Sequence, residues 1–364
     1  MELIVGLSDA LERNLLRLVF YVLDPGNRIF LLYVLTSILA AYALYRIART
    51  AADTPAGSAN ADVAQGSFLG FLFPKRVWRH PSAWLDLRYF VFHQLIGHFL
   101  MLGIVGATAA IAFAWVTGSA NIPEAAGLGG SLDPEEAVLF GLVSGTDLLI
   151  GTLYMFLVIG VVDFISYWIH YLQHKWPLLW QFHKVHHSAE VMHPLSNFRE
   201  HPVDNLTYKA LIGLGYGLVW GITVELFGYL PALPSLLGVP LILFAFNFFA
   251  YNLRHSHIWL RWPGRWSMVF PSPAHHHVHH SRHPEHIDKN FAFVFPVWDV
   301  LFGTYHMPED NRDVEFGVPK EDAEGLTSCW RLYVIPFRDA GRVVRRALTR
   351  HVTTGQPRPT NPLE

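Results

Sequence analysis

The chain reads as an all-α integral membrane protein that gathers histidines into a metal site at one face of the bilayer. Three observations predict this. Its 364 residues are 52% hydrophobic and only 15% charged, with positive mean hydropathy, too apolar for an ordinary soluble domain of that size. Five apolar stretches reach the roughly twenty residues that a helix needs to cross a bilayer. Sixteen of the twenty-one histidines fall between His170 and His286, at the spacings His170-x3-His174, His183-x2-His186-His187 and His276-x2-His279-His280. Residues three or four apart share one side of a helix, and neutral imidazole is the commonest metal ligand, so each box aims two or three nitrogens at one point.

Along the chain, Glu2–Tyr21 has apolar residues at helical spacing with Arg13 and Arg17 between them, which predicts an interfacial helix. Spans are expected over Ile29–Ile47, Phe90–Trp115, Leu148–Ile169, Ala210–Tyr229 and Leu233–Leu253, the last two forming a helical hairpin around Leu230 and Pro231. The first apolar stretch follows Asp24, Pro25 and Arg28, unlike a cleavable signal peptide, so this span is expected to be retained. Thr50–Gln65, rich in Ala, Gly, Ser, Asp and Pro, reads as a flexible connection.

No Lys or Arg occurs from Tyr89 to His174, whereas Lys75, Arg76, Arg79 and Arg88 precede that interval and Lys175 and Lys184 follow it. The acidic loop Thr117–Asp147 therefore faces outside. Ala210–Leu253 is equally free of basic residues, with Lys209 before it and Arg254, Arg261 and Arg265 after it. Spans two to five thus have their basic ends in the cytoplasm, and so do all three histidine boxes. The basic run Arg338–Arg350 has helical spacing suited to an anionic membrane surface. A formal net charge of -2 gives no sign of nucleic-acid binding. The single cysteine, Cys329, excludes an intramolecular disulfide and a cysteine-based zinc or iron–sulfur site. Any metal is held by nitrogen and oxygen.

A lone HxxxH pair is more often packed or hydrogen-bonded than ligating, but three boxes in one chain are not explained that way. Asp163 lies seven residues before His170 on the same helix face; intramembrane acids are costly and usually functional. It is expected to accept the free ring N–H of a ligand histidine, and Asp299 to act in the same way. In each HxxHH box the first two imidazoles are expected to face one way and the third to be turned by about a quarter turn, so that one helix serves two ions. Pro177 is expected to break the helix between the first two boxes. His201 and His255 are further candidates. His275 and His277 fall out of register and read as neighbours; His93 and His98 read as packed or substrate-lining; His283, His286 and His306 read as loop residues. The candidate ligands are His170, His174, His183, His186, His187, His201, His255, His276, His279 and His280. Ten imidazoles suit two ions better than one zinc.

The motifs Asp163-x6-His170-x3-His174, His183-Lys-Val-His186-His187-Ser188, Arg199-Glu-His201-Pro202, His255-Ser256, Ser272-Pro273-x2-His276-x2-His279-His280, Asn290 and Trp298-Asp299-x2-Phe302-Gly303-Thr304 resemble the fatty acid hydroxylase and sterol desaturase superfamily of membrane diiron oxygenases. The resemblance covers roughly Asp163 to His306. It implies a four-helix transmembrane core with a cytosolic histidine-rich helical cap, here with an extra N-terminal span. It divides the chain into an N-terminal segment 1–89, a catalytic membrane domain 90–306 and a cytosolic tail 307–364. Two departures concern the ligands: His257 stands where members often have Asn, and Tyr251 where 2-hydroxylase-like members have a histidine. The tenth ligand is accordingly His201 or, second, His257.

The resemblance further implies O2-dependent hydroxylation or desaturation of a lipid, whether sterol, alkylglycerol, fatty acyl or carotenoid. Its cofactors are two Fe ions, replaceable by Zn on purification, with O2 as co-substrate. Soluble diiron bundles use mainly carboxylates, whereas this shell is imidazole. Aromatic residues in Trp176–Phe182 and Phe291–Trp298 are placed to exclude water while leaving an apolar path from the bilayer. No electron-carrier domain is legible after His306, so an external ferredoxin- or cytochrome b5-type donor with its reductase is expected. The lack of a lysine-rich tail at Pro357–Glu364 points to a bacterial inner membrane. A competing reading, a metal-binding membrane protein without oxygenase activity, finds no His or Cys in Thr117–Asp147 to collect ions. A lapsed lipid-binding relative is disfavoured by the intact boxes.

Overall fold

The structure, a computed structural model, describes residues 16, 19–51, 66–96, 103–122, 145–249, 251–309 and 314–354. The expected interfacial helix, the linker, His98 and the acidic outer loop fall wholly or mostly outside these residues. The regular structure among the described residues is helical apart from one antiparallel hairpin of two-residue strands, β1 (Ser235–Leu236) and β2 (Val239–Pro240), in the register Ser235↔Pro240 and Leu236↔Val239.

Among the described residues, three helices are long and apolar enough to cross a membrane: Leu31–Thr50, Asp147–Lys175 and Pro202–Phe227. The first belongs to α1 (Leu31–Ala51). Next come α2 (Pro81–Leu95) and α3 (Ile104–Thr117). The second spans most of α4 (Gly145–Lys175), whose 31 residues extend about 46 Å at 1.5 Å per residue. That exceeds the roughly 30 Å hydrocarbon thickness, so the last turns, which carry His170 and His174, stand beyond it. Leu149, Leu153, Phe156 and Leu157 of α4 are exposed, as expected where lipid is the solvent.

Pro177 ends α4 and opens α5 (Pro177–His187) as its first residue, where its missing N–H costs nothing. After a short 3₁₀ turn, Pro194–Phe198, α6 (Pro202–Phe227) runs back antiparallel to α4; a Cβ on Gly215 would meet Ile165 at 2.5 Å. α3 lies against α6 in parallel. Gly213, Gly217 and Gly221 form the seam: an added Cβ would meet Val105 O at 2.5 Å, Ala109 O at 2.1 Å and Val116 Cβ at 2.9 Å. Small residues at a four-residue repeat let two membrane helices approach at backbone distance. The expected single span Phe90–Trp115 is thus two helices, with α2 ending level with Asn205 and α3 resuming level with Gly213.

The expected span Leu233–Leu253 is not a continuous helix. Pro234, Gly238 and Pro240 break it into the β-hairpin, the eight-residue α7 (Leu241–Phe248) and a 3₁₀ turn, Tyr251–Leu253. Eight residues rise about 12 Å, less than half a bilayer core. Beyond it come α8 (Pro273–His280), α9 (Val297–Phe302) and the amphipathic α10 (Cys329–Thr354). α10 lies on α2 and α5 through Leu85, Tyr89, Val185, Leu332 and Ile335. It is pinned there by buried Lys184, whose ammonium reaches Asp339 at 2.9 Å and Gln181 at 2.8 Å.

Candidate metal centre

Nine of the ten expected imidazoles converge in two adjoining groups. His170, His174, His183, His187 and His279 form one, and His186, His255, His276 and His280 the other; within each, one ligand atom per residue lies within 4.8 Å of the others. In the first, His279 stands 4.3 Å from His170 and 4.8 Å from both His174 and His187, centroid to centroid. In the second, His276 Nε2 is 2.8 Å from His255 Nε2 and 3.0 Å from His280 Nε2.

The division follows helix geometry, but not in the grouping expected. α5 sends His183 and His187 to the first group and His186 to the second, and α8 sends His276 and His280 to the second and His279 to the first. A step of four residues returns to within about 40° of its start, a step of three only to within about 60°. The i,i+4 pairs therefore stay together and the member between them turns to the other group. The two boxes are complementary, each giving two ligands to one group and one to the other.

His201 stands outside both groups. It caps α6, accepting from Val203 N at 3.1 Å, its Nε2 lies 3.0 Å from Tyr333 O, and its ring packs on Phe182 and Phe337. Both nitrogens are occupied. His257 is equally remote, bonded to Phe71 O at 2.7 Å. His275 caps α8 through Ser272, and His277 meets Leu253 O at 3.1 Å. His286, read as a surface or loop residue, is buried beside His283 and His306.

Neither expected carboxylate meets an imidazole. Asp163 accepts from the backbone N–H groups of Val294 and Phe295, both at 2.8 Å, and from Trp298 Nε1 at 3.0 Å. Asp299 accepts from Phe291 N at 2.8 Å, Ala292 N at 2.9 Å and Thr304 Oγ1 at 2.7 Å. Together they clamp the segment 291–295, whose backbone would otherwise be buried without partners. This acts on the centre one step removed, because Phe291 O lies 2.8 Å from His170 Nδ1.

Asp288 stands 3.7 Å from His174 Nδ1, and the carboxylate within hydrogen-bonding distance of a candidate ligand, among the described residues, is Asp204, 3.3 Å from His183 Nδ1 in the first turn of α6. Sequence reading passed over it because 21 residues separate the pair and no spacing rule connects them. Lys289 O holds His279 Nδ1 at 2.9 Å, and Ser196 Oγ holds His255 Nδ1 at 2.9 Å. Such contacts fix the tautomer and aim Nε2 inward. Arg254 Nη2 lies 3.1 Å from His276 Nδ1.

The donor set fits metal ions. His174, His183, His187 and His279 each bury an Nε2 with no hydrogen-bond partner among the described residues, and His186 buries such an Nδ1. An unmet buried polar group costs about 1–3 kcal/mol, and five aimed at shared points are accounted for by ions of the kind imidazole prefers. Burial also pushes the His183, His187, His255, His276, His279 and His280 pKa values well below the usual histidine range and that of His186 down to about 4. At neutral pH these rings are uncharged, the form that ligates. Trp180 packs on His174 and His187, and Phe291 on His170, His174 and His279, walling the first group from water.

Residues 155–304 match the family model described as fatty acid hydroxylase. The human alkylglycerol monooxygenase is 30% identical over 157 residues, 43% of this chain and 31% of that protein. The ornithine lipid hydroxylase OlsE of Rhizobium tropici is 30% identical over 187 residues, 51% of each chain. Protein CER1-like 1 of Arabidopsis thaliana is 26% identical over 178 residues, 46% of this chain and 26% of that protein. The chain thus spans between about a third and a half of the length of these first two relatives. No solved structure matches.

Proposed function

We propose, for a chain that belongs through residues 155–304 to the fatty acid hydroxylase and sterol desaturase superfamily, that it is a membrane-bound diiron oxygenase inserting oxygen into a lipid or desaturating it. The observation that carries this reading is the convergence of five and four imidazoles in two adjoining groups. A single structural or catalytic zinc would use four or three ligands. The relatives' printed names, an alkylglycerol monooxygenase and an ornithine lipid hydroxylase, favour hydroxylation of a polar lipid.

The chemistry supplied at such a centre, when two iron ions are held there, is reductive activation of O2 for attack on an unactivated C–H bond. The residues of the chain prepare for it. His170, His174, His183, His187 and His279 would hold one ion, and His186, His255, His276 and His280 the other. Phe291 O, Lys289 O and Asp204 keep the proton of His170, His279 and His183 on Nδ1, leaving Nε2 to ligate. Trp180 and Phe291 keep bulk water from the first group. Asp163 and Asp299 hold the segment that carries Phe291. The histidine site faces the cytoplasm, as the basic residues at the span ends argue, and electrons come from a separate ferredoxin- or cytochrome b5-type protein. A bacterial inner membrane is the setting we assign.

The test is turnover of a bacterial lipid extract under 18O2 with a reductase system and iron-loaded protein. Hydroxylation gives a product heavier by one 18O; desaturation gives a product lighter by two hydrogens without label. Neither product from protein that retains its metal would overturn the proposal.

A further inference from the structure

Between the first turns of α2 and the segment that joins α5 to α6 lies a buried ion cluster of Asp86, Arg199 and His193, which are 1%, 2% and 1% exposed. All five N–H donors of the Arg199 guanidinium find acceptors. Nε donates to Asp86 Oδ1, Nη1 to Ser188 O at 3.1 Å and Ser188 Oγ at 3.2 Å, and Nη2 to Ser82 O at 2.9 Å and Ser82 Oγ at 2.8 Å. The second oxygen of Asp86 accepts from His193 Nε2 at 2.9 Å. A buried ion pair stabilises little beyond what apolar residues of the same volume would. What this one supplies is direction: a carboxylate and a planar fork fix three stretches of chain against one another.

Both arms of the cluster end beside candidate ligands. Ser188 caps the C-terminus of α5 directly after His187 and gives its own hydroxyl proton to Val185 O at 2.7 Å. A guanidinium at that terminus also suits the negative end of the helix dipole, so the turn that carries His186 and His187 is tied to α2. On the other side, Ser196 Oγ donates to His193 O at 2.8 Å and lies 2.9 Å from His255 Nδ1. One chain of contacts thus runs from Asp86 through His193 and Ser196 to His255, and another from Asp86 through Arg199 and Ser188 to the end of α5. His187 belongs to the first imidazole group and His255 to the second. A single carboxylate therefore bears on both groups from α2, a helix that contributes to neither, 107 residues from His193 and 113 from Arg199.

We propose that Asp86 is a positioning residue for the metal centre, setting His255 through His193 and Ser196 and setting His187 through Arg199 and Ser188. The inference rests on the two-ion reading above.

The experiment loads the full chain in detergent with cobalt(II), whose visible ligand-field absorption reports its coordination, and challenges it with a chelator. Asp86→Ala removes the anchor, His193→Phe cuts the route to His255, and Arg199→Lys keeps the charge but cannot reach Asp86, Ser188 and Ser82 together. Each is expected to lower cobalt affinity about tenfold, the lower end for loss of a partner behind a ligand, and to shift the absorption bands of the cobalt still bound. Asp86→Asn, which keeps one acceptor oxygen, should recover part of the loss. Val224→Ala is the control, a core truncation against Phe113 about 33 Å along α6 from its first residue; it should lower Tm and leave cobalt affinity and bands as in the wild type. If Asp86→Ala does not fold, His193→Phe and Arg199→Lys decide. Affinity and bands unchanged in those two, or altered equally in Val224→Ala, would overturn the inference. Two cobalt ions in the wild type beside such unresponsive variants would leave the two-ion reading standing, whereas one ion or none in the wild type would overturn both.

Discussion

His187 and His280 belong to different imidazole groups, yet their rings stack with centroids 4.3 Å apart and planes at 24°. They are the join between the two halves of the centre. α5 brings one and α8 the other, so the spacing between the two groups is set by how these two short, buried helices pack, and neither group can shift without the other.

Asp204 should matter to the metal although it ligates none. Replacing it with Ala removes the acceptor that orients His183, and the loss of such a partner typically lowers metal affinity about 10–100-fold. Competition with a chelator on the purified protein reads this directly. Unchanged retention would show that His183 is oriented by packing alone.

Asp163→Asn and Asp299→Asn should each loosen the segment 291–295, because an amide offers one acceptor oxygen where the carboxylate offers two. Each change leaves at least one buried N–H unmet, at about 1–3 kcal/mol, and the expected result is a lower Tm together with partial metal loss through His170. A Tm within error of the wild type would refute the clamp.

Gly217→Val should be severely destabilising, because the Cβ would lie 2.1 Å from Ala109 O in the seam between α3 and α6. A shift of several kcal/mol is expected for overpacking against backbone. Gly160→Ala in α4, where a Cβ meets nothing within 4 Å, is the control and should leave thermal unfolding in detergent nearly unaltered. Similar behaviour of the two variants would contradict the close approach.

Stability of the metal-free protein should fall on acidification. His186 has its pKa lowered from 6.5 to about 4, so between those values the unfolded chain binds more protons than the folded one, and stability rises with pH across that window. The contribution is complete above about pH 6.5 and is lost progressively as the pH falls toward 4. Thermal unfolding of the metal-free protein at pH 7.5 and pH 5 checks the sign; a flat profile would mean that the imidazoles are hydrated.

Much of the site is legible in the sequence because helical spacing is a local rule: boxes of three and four residues fall on one side of a helix whatever surrounds them. The rule fails where two faces compete. For His183, His186 and His187 the smaller angular error of the four-residue step decides which pair stays together. Contacts made across the fold leave no such signature, as with Asp204 and His183, or Ser196 and His255. His201 looks like a ligand in sequence, but the proline after it makes it a helix cap, with both nitrogens taken. In Leu233–Leu253 apolar length outweighs Pro234, Gly238 and Pro240 in a hydropathy reading, whereas in the fold the breakers win. The glycine seam of α6 is visible only once α3 is seen against it.

The most direct test of the two-ion centre is the metal content of detergent-purified protein expressed with iron, for the wild type, His279→Ala and His276→Ala, each removing a ligand from a different group. The centre described here predicts about two ions per chain in the wild type and about one in each variant. One ion or none in folded wild type, unchanged by either substitution, would contradict it.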